Sequence, residues 1–237
     1  MIHLAHRKVV LVIVEGPSDD VALGVMLNQV FDKDAVHIHI MHGDITTKRG
    51  VYPNNILAKI GNIIREYAKS QHYKSRDFKQ IIHITDTDGA FIPEEKIIID
   101  SSNEKVVYES NGIHTLDKQG IIERNKQKSA NLIRLKSIDQ VWNIPYRIYY
   151  MSCNLDHVLY NKRNSSDEEK EEDAYSFAGK YKNDVNGFID YMTNSDFSTD
   201  CNYEESWKFI EEGMNSLERN TNLNICIKEE LKNRKIE

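Results

Sequence analysis

The amino-acid sequence predicts an α/β protein built on a mostly parallel four-stranded sheet between helices. Apolar runs at residues 8–15, 35–41 and 79–85 are short and rich in β-branched side chains, as buried strands are. Segments with helical spacing of apolar residues lie between these runs, at 21–31 and 54–70. An alternation of strands and helices indicates a parallel sheet with right-handed crossover connections.

A less regular segment follows the third strand. Residues 97–99 and 106–108 have the pattern of a small hairpin, with its turn at 101–103. Residues 117–136 combine helical spacing with many basic side chains, and this combination predicts a basic helix. The hairpin and the basic helix together form a predicted insertion at about 91–140.

The chain is then expected to return to the sheet and to continue in helices. Residues 146–151 are the fourth predicted strand, and a helix is expected to start near Leu155. The acidic run at 162–173 is polar enough to be a linker. We therefore expect one domain at 1–161 and a C-terminal helical extension at 174–237.

The composition is that of a globular protein, with 40% hydrophobic and 29% charged residues. No apolar run approaches the roughly 20 residues that cross a bilayer, and the run at 9–14 is too short for a signal peptide. Three widely spaced cysteines predict neither a disulfide framework nor a zinc cluster. We therefore expect a cytoplasmic protein without a membrane partner.

The net charge of −6 hides an uneven distribution. Residues 162–237 are strongly acidic, whereas residues 118–136 contain six basic side chains and one acidic side chain. Such a basic stripe is either a solvated helix face or a surface that contacts phosphates. A nucleic-acid partner therefore stays open in spite of the acidic total.

Carboxylates follow two of the predicted strands at the point where each strand ends. Glu15 follows the first strand, and Asp86 and Asp88 follow the third. The carboxyl ends of parallel strands share one edge, where open α/β sheets carry their sites. Close carboxylates repel one another unless a proton or a cation such as Mg²⁺ lies among them. Taken singly, Glu15 could instead cap a helix, and Asp88 could belong to a turn.

Glu15-Gly16 after the first strand and Asp86-Thr87-Asp88 after a later one resemble the topoisomerase–primase (Toprim) domain. The longer string from Val14 to Asp19 resembles the nuclease half of the overcoming-lysogenization-defect family and related anti-phage effectors. The resemblance covers about residues 7–160. It implies a Rossmann-like sheet that binds Mg²⁺ or Mn²⁺ and hydrolyses phosphodiester bonds in DNA or RNA. It also implies a role in anti-phage defence, with an ATPase partner or a second copy of the chain.

The resemblance assigns roles to particular acids. Glu15, Asp86 and Asp88 would be the catalytic and metal-binding residues. Asp19 matches a further acid of the nuclease branch, and Asp156 is the fair match for an acid after the last core strand. Both are therefore additional candidates for the metal site. No tyrosine is singled out as a nucleophile, so water is expected to attack.

Basic residues of the predicted helix are candidates for nucleic-acid binding. Arg124, Lys126 and Lys128 could contact backbone phosphates. Lys126 and Lys128 are also the candidates for the lysine that the nuclease branch carries near its site. His42 and Asp44 lie at the exit of the second strand, where Asp44 is read as a turn residue, with a place in the site as its alternative.

Two other functions remain open. The segment Asp86-Thr87-Asp88-Gly89 also resembles the motif of haloacid-dehalogenase-like phosphatases, with Asp86 as nucleophile and Asp88 as general acid. Ala90 stands where that motif usually has threonine, which counts against this alternative. The third possibility is a Toprim-like binding or effector module without catalysis, whose C-terminal helices dock a partner.

Overall fold

A central sheet of parallel strands organises the molecule. The computed structural model describes residues 8–31, 35–40, 43–102 and 104–236. Its strands are β1 (Val9–Val14), β2 (Ala35–Ile40), β3 (Phe78–Asp86), β4 (Ile97–Ile99), β5 (Val107–Glu109), β6 (Gly112–Thr115), β7 (Gln140–Val141) and β8 (Ile144–Met151). Its helices are α1 (Pro17–Val30), α2 (Ile56–Ser70), α3 (Lys118–Lys136), α4 (Leu155–Tyr160), α5 (Asp167–Tyr181), α6 (Val185–Asn194), α7 (Tyr203–Ile210) and α8 (Leu223–Ile236).

The main sheet has the strand order β2-β1-β3-β8-β7, and its first four strands are parallel. This arrangement confirms the predicted class, a mostly parallel four-stranded α/β sheet between helices with a Rossmann-like arrangement. The short strand β7 adds an antiparallel edge to β8 that the sequence did not predict. Trp142 and Asn143 make the connecting turn with φ of 52° and 60°. Two successive positive φ values are typical of tight hairpin turns. Such turns usually contain glycine, which makes them recognisable in a sequence.

Both faces of the sheet are buried, which explains why β1 is apolar throughout. Val10 and Val12 pack toward α1 and the C-terminal helices α5, α6 and α8. Leu11 and Ile13 pack toward α2 and α3 on the opposite face. A strand buried on both faces needs an unbroken apolar sequence, because successive side chains point to opposite sides.

The second strand agrees with its prediction over Ala35–Ile40. The predicted last residue, Met41, and the neighbouring His42 lie outside the described residues. Helix α1 begins four residues before the predicted start, at Pro17, where the Asp19 carboxylate accepts a hydrogen bond from the N–H of the N-cap residue Gly16 at 2.9 Å. Proline at the first turn of a helix loses no hydrogen bond that the helix would need.

The insertion differs from the predicted hairpin. Strand β5 pairs antiparallel with β6, and β4 pairs parallel with β6 on its other side. The expected pairing of 97–99 with 106–108 is therefore wrong, and Asn103 of its predicted turn lies outside the described residues. Gly112 permits the arrangement: its φ is +153°, and a Cβ there would lie 2.0 Å from the carbonyl oxygen of Lys96. Only glycine allows so close an approach of two backbones.

The acidic run predicted as a linker is largely helical. Helix α5 begins at Asp167, and the Ser166 hydroxyl and the Glu169 carboxylate cap its first turn reciprocally. Acids are favourable at the positive end of a helix dipole, so an acidic run that looks disordered can start a helix. Phe177 and Tyr181 then carry α5 into the same core as β1. Among the described residues, no helix combines the length and apolarity that crossing a membrane requires.

A chain ending at residue 161 is expected to lose cooperative unfolding, because the C-terminal helices supply much of one face of the core. Phe188, Met192, Leu223 and Ile227 are each fully buried there. Urea denaturation followed by far-UV circular dichroism tests this, with the full chain as the control. A sharp transition in the truncated chain would contradict it.

Candidate active site

The predicted acids converge at the carboxyl edge of the sheet. Glu15 follows β1 and Asp86 ends β3, and these two strands are neighbours. The Glu15 Oε1 atom accepts hydrogen bonds from the Asp86 backbone N–H at 3.1 Å and from the Thr85 hydroxyl at 2.8 Å. Asp86 Oδ1 in turn accepts from the Leu155 N–H at the start of α4, at 2.9 Å. Each carboxylate is therefore held through one of its two oxygens. Glu15 is oriented by a hydroxyl and a backbone N–H, and Asp86 by a backbone N–H.

A buried lysine lies beside these acids. The Lys128 Nζ atom donates to Asp44 Oδ2 at 2.8 Å and to Asp88 Oδ2 at 2.6 Å, and its side chain has no exposed surface. Burial alone would lower the lysine pKa, but Asp88 and Asp44 outweigh it and raise that pKa well above its usual value. The same ammonium keeps the pKa of Asp44 below its ordinary value in spite of burial. Lys128 is therefore an internal cation held between two carboxylates.

Glu15 and Asp86 lie in a different electrostatic environment. Burial, reinforced by Asp44 and Asp88 against the opposing charge of Lys128, raises the pKa of Glu15 to about 8. Burial, together with the charges of Glu15, Asp19 and Asp88, raises the pKa of Asp86 well above its usual value. The single ammonium does not balance the acids around it. The excess negative charge is what a proton or a divalent cation would relieve.

Two further acids extend the group. Asp19 Oδ2 accepts from the N–H groups of Glu15 and Gly16 at 3.1 and 2.9 Å, so this acid shapes the turn that holds Glu15. Asp156 lies on α4 with Oδ2 3.9 Å from the Lys170 ammonium. Burial is the main cause that raises the pKa of Asp19, and it raises that of Asp156 to about 6. The charge of Asp19 acts on both Asp86 and Asp156, whereas the charge of Lys128 is not among those that shift the pKa of Asp19 or Asp156.

The donor set fits a hard cation at Glu15 and Asp86. In the described part of the chain, no group of three or more His, Cys, Asp or Glu side chains is arranged to hold a metal ion. Mg²⁺, however, keeps several waters and is usually bound by one or two carboxylates together with substrate phosphates. Glu15 Oε2 and Asp86 Oδ2 receive no hydrogen bond from any described residue and are the oxygens that suit it. Asp88 is instead paired with Lys128.

The turn after β3 is fixed from two directions. Asp88 has a φ of 49°, and its N–H donates to the carbonyl of Cys153 at 2.8 Å. Arg124 donates to the Asp88 carbonyl at 2.8 Å and to the Tyr108 hydroxyl at 2.9 Å. The Tyr108 hydroxyl lies 3.3 Å from Asp88 Oδ1. Asp88 thus belongs both to a turn and to the charged group, which the sequence presented as alternatives.

A segment from the C-terminal extension supports the same turn. The Ser216 carbonyl accepts from the Thr87 hydroxyl at 2.7 Å and from the Cys153 N–H at 2.9 Å. The Ser216 hydroxyl accepts from the Phe91 N–H at 3.2 Å, and Ser216 is completely buried. Residues 211–222, which we call the C-terminal strap, therefore complete the site from far along the chain.

The basic helix contributes to the site differently from its prediction. Lys128 is completely buried, whereas Arg124 is half-buried and donates to the Asp88 carbonyl. Lys126 is exposed and pairs with Glu94 at 2.9 Å. The predicted contact of Lys128 with a nucleic-acid backbone is therefore wrong, whereas Arg124 and Lys126 stay candidates.

Sequence reasoning missed or underrated Asp44, Tyr108 and Ser216. For α3 a usable signal existed: its buried polar residues Asn125, Lys128 and Asn131 recur every third residue. Such spacing puts them on one helix face. A polar stripe that faces the protein interior indicates a hydrogen-bonded network rather than a solvated surface. Ser216 has no such signal, because its role depends only on tertiary contacts.

Comparison with protein-family models, with curated proteins and with solved structures gave no match.

Replacing Lys128 with methionine is expected to lower the free energy of unfolding by about 3–5 kcal/mol, because it leaves Asp44 and Asp88 unpaired in a buried site. Urea denaturation measures this change. The exposed Lys126→Met is the matched control and should change stability by about 0.5 kcal/mol or less. Adding Asp44→Asn to Lys128→Met should restore part of the loss, and a mild effect of Lys128→Met alone would contradict the assignment.

Replacing Glu15 with glutamine should stabilise the metal-free protein at alkaline pH. The folded-state pKa of about 8 lies above the ordinary value of 4.5, so folding takes up a proton between these values. The stability that this proton provides is complete below about pH 4.5 and is lost as the pH rises through 8. In EDTA, the advantage of Glu15→Gln should therefore grow from pH 5 to pH 8, to on the order of 2 kcal/mol. Urea titrations at each pH test this, with the exposed Glu218→Gln as control. An advantage that shrinks with pH would contradict it.

Proposed function

We propose that this protein is a metal-dependent nuclease of the Toprim type that hydrolyses phosphodiester bonds in DNA or RNA with Mg²⁺ or Mn²⁺. The observation that carries the proposal is the contact between Glu15 and Asp86 at the carboxyl edge of the sheet. Each carboxylate has one oxygen without a hydrogen bond from a described residue, and the neighbouring acids that help burial to raise both pKa values form a negative environment that a divalent cation would offset.

Glu15 and Asp86 would hold the cation, with waters and a substrate phosphate completing its coordination. The bound cation would polarise the phosphate and lower the pKa of a water molecule. Thr85 and the Asp86 backbone N–H orient Glu15, and the Leu155 N–H orients Asp86, so both carboxylates are positioned before substrate binds. Preorganised ligands avoid the cost of reordering during the reaction.

Lys128 and its partners would set the charge next to the reacting group. The ammonium holds Asp88 and Asp44 in fixed positions and offsets part of the negative charge that would repel a phosphate. In this scheme Asp88 is a positioning residue rather than a direct metal ligand. That role departs from the one that the resemblance implies for it.

Water is the proposed nucleophile. Tyr108 is the tyrosine in contact with the charged group, and its hydroxyl already bonds Arg124 and Asp88. Burial and the charge of Asp88 raise its pKa, so the phenol stays protonated and is a poor nucleophile. Attack by water gives hydrolysis without a covalent protein–nucleic acid intermediate.

The phosphatase alternative is less well supported. It needs Asp88 as a general acid that donates a proton to the leaving group. Both carboxylate oxygens of Asp88 already accept hydrogen bonds, Oδ2 from the Lys128 ammonium and Oδ1 from the Tyr108 hydroxyl. Glu15 would also have no role in that reaction, although it contacts Asp86 directly.

A role in anti-phage defence, an ATPase partner and pairing with a second copy are part of the proposal on the resemblance alone. A cytoplasmic location is part of it on the cysteine content of the sequence. A Toprim-like effector without catalysis would share the fold and the ion pairs. It would differ in having no hydrolysis under any condition, so the activity assay also separates these two functions.

Incubation with plasmid DNA, single-stranded DNA and total RNA should give cleavage with Mg²⁺ or Mn²⁺ and none with EDTA. Glu15→Gln and Asp86→Asn should each reduce the cleavage rate by about 100-fold or more, because each removes a ligand of the charge-stabilising cation. Glu104→Gln, at an exposed position of the insertion, is the surface control. Release of phosphate from monoesters that survives Glu15→Gln but not Asp86→Asn would favour the phosphatase instead.

A further inference from the structure

The loop between β2 and α2, residues 43–55, carries two exposed cations and an exposed aromatic ring. Lys48 and Arg49 are exposed, and in the described part of the chain neither makes an ion pair. Tyr52 follows three residues later with 54% of its surface exposed and no ring contact among the described residues. Exposed cations beside an unstacked aromatic ring are the combination that binds single-stranded nucleic acid.

The β2–α2 loop is held in place from α3. Gln127 donates to the carbonyls of Lys48 and Val51, both at 3.0 Å. Asn131 donates to the Thr46 carbonyl at 2.7 Å from a completely buried position. Because these side-chain amides fix its backbone, the loop can present its cations at low entropic cost.

The β2–α2 loop also adjoins the candidate active site. Asp44 near its start contacts the Lys128 ammonium, which contacts Asp88. Gln127, which holds the Lys48 carbonyl, precedes Lys128 in α3. The backbone that carries Lys48 is therefore joined to the charged group of the site through Asp44 and through α3.

A groove continues from the other end of this loop. It begins at Pro53, has a volume of about 400 Å³, and runs between α2 and α3 toward Trp142. Arg65 and Arg134 line it, both with exposed side chains. No acidic residue is among the described residues that line it. Guanidinium groups and an indole without a neighbouring carboxylate suit a polyanion with planar bases.

The cavity on the other side of the site is unsuited to a polyanion. It lies between the start of α1 and α5, has a volume of about 340 Å³, and is lined by Asp167 and Glu171 as well as Lys170. Helix α5 also carries further acids in its first two turns. Like charges would repel a phosphate backbone there, so the two sides of the site are electrostatically different.

We propose that the β2–α2 loop and the α2–α3 groove bind a single-stranded segment of nucleic acid. Lys48 and Arg49 would contact phosphates next to the site, and Tyr52 would stack on an unpaired base. Arg65, Arg134 and Trp142 would hold the next part of the strand. This inference deepens the proposed nuclease function and rests on it for the reaction, but strand binding itself needs no catalysis.

Binding of a labelled single-stranded oligonucleotide, measured by fluorescence anisotropy in EDTA, tests the loop. The double variant Lys48→Ala/Arg49→Ala should bind about 10-fold more weakly or worse, and the slope of log K against log salt should fall by about one. The control Lys69→Ala/Lys74→Ala removes the same charge from exposed positions at the far end of α2 and beyond it. Equal losses in both double variants would overturn the assignment.

Substitutions of Tyr52 distinguish stacking on a base from simple hydrophobic contact. Tyr52→Phe should keep the affinity for the single strand, whereas Tyr52→Leu should weaken it about 10-fold, because leucine has no π-face. A duplex of the same sequence should lose less affinity in Tyr52→Leu, since its bases are already stacked. Matching strands of DNA and RNA show whether the loop distinguishes the two sugars.

The outcomes for binding and for cleavage are independent. Wild type and Lys48→Ala/Arg49→Ala could bind and cleave the single strand equally well, with cleavage that still depends on Glu15. That result would overturn the loop assignment and leave the nuclease proposal intact. Strand binding that depends on the loop without any hydrolysis would support the assignment and count against the nuclease. No binding of any single strand by the wild-type protein would overturn the assignment outright.

Discussion

The ion pairs of one buried ammonium hold three separate parts of this chain together. Lys128 comes from α3, Asp44 from the loop after β2, and Asp88 from the turn after β3. A buried charge without partners would be prohibitively costly, so each of these segments constrains the other two. The inserted helix is thus a structural part of the site, although it is absent from a minimal strand–helix–strand pattern.

The rest of the site is arranged around this centre by charge. The ammonium pairs directly with Asp88 and Asp44, whereas Glu15 and Asp86 have no cation in contact, and burial together with the neighbouring acids raises their pKa values. The two pairs of acids therefore differ in chemistry although they lie at the same sheet edge. Asp44 and Asp88 belong to a fixed ion-pair network. Glu15 and Asp86 each have an oxygen that could coordinate a cation.

Sequence patterns predicted the sheet well because both its strands and its crossover helices have local signals. The apolar run 9–14 and the helical spacing in 56–70 follow from burial on one or both faces. The meeting of Glu15 with Asp86 followed from the rule that parallel strands end at one edge. These inferences needed no knowledge of tertiary contacts.

Several wrong predictions share a physical cause. The composition of a segment does not show which way its side chains point or whether a polar segment is helical. Lys128 belongs to a basic stripe in the sequence, yet its side chain points inward, and Asp167 belongs to a polar run that is helical. The pairing of β5 with β6 did have a local signal, the dipeptide Asn111-Gly112 at their turn, which the predicted hairpin, placed elsewhere, did not use. The support from Ser216 could not be predicted at all, because no local pattern distinguishes it from any other serine in a loop.

The C-terminal strap has a consequence for how the protein is made. During translation Glu15 and Asp86 leave the ribosome long before Ser216, which supports the turn between them and α4. A nascent chain would therefore carry the acids without the serine that holds their surroundings. The surroundings of these acids are therefore completed only when the strap has docked.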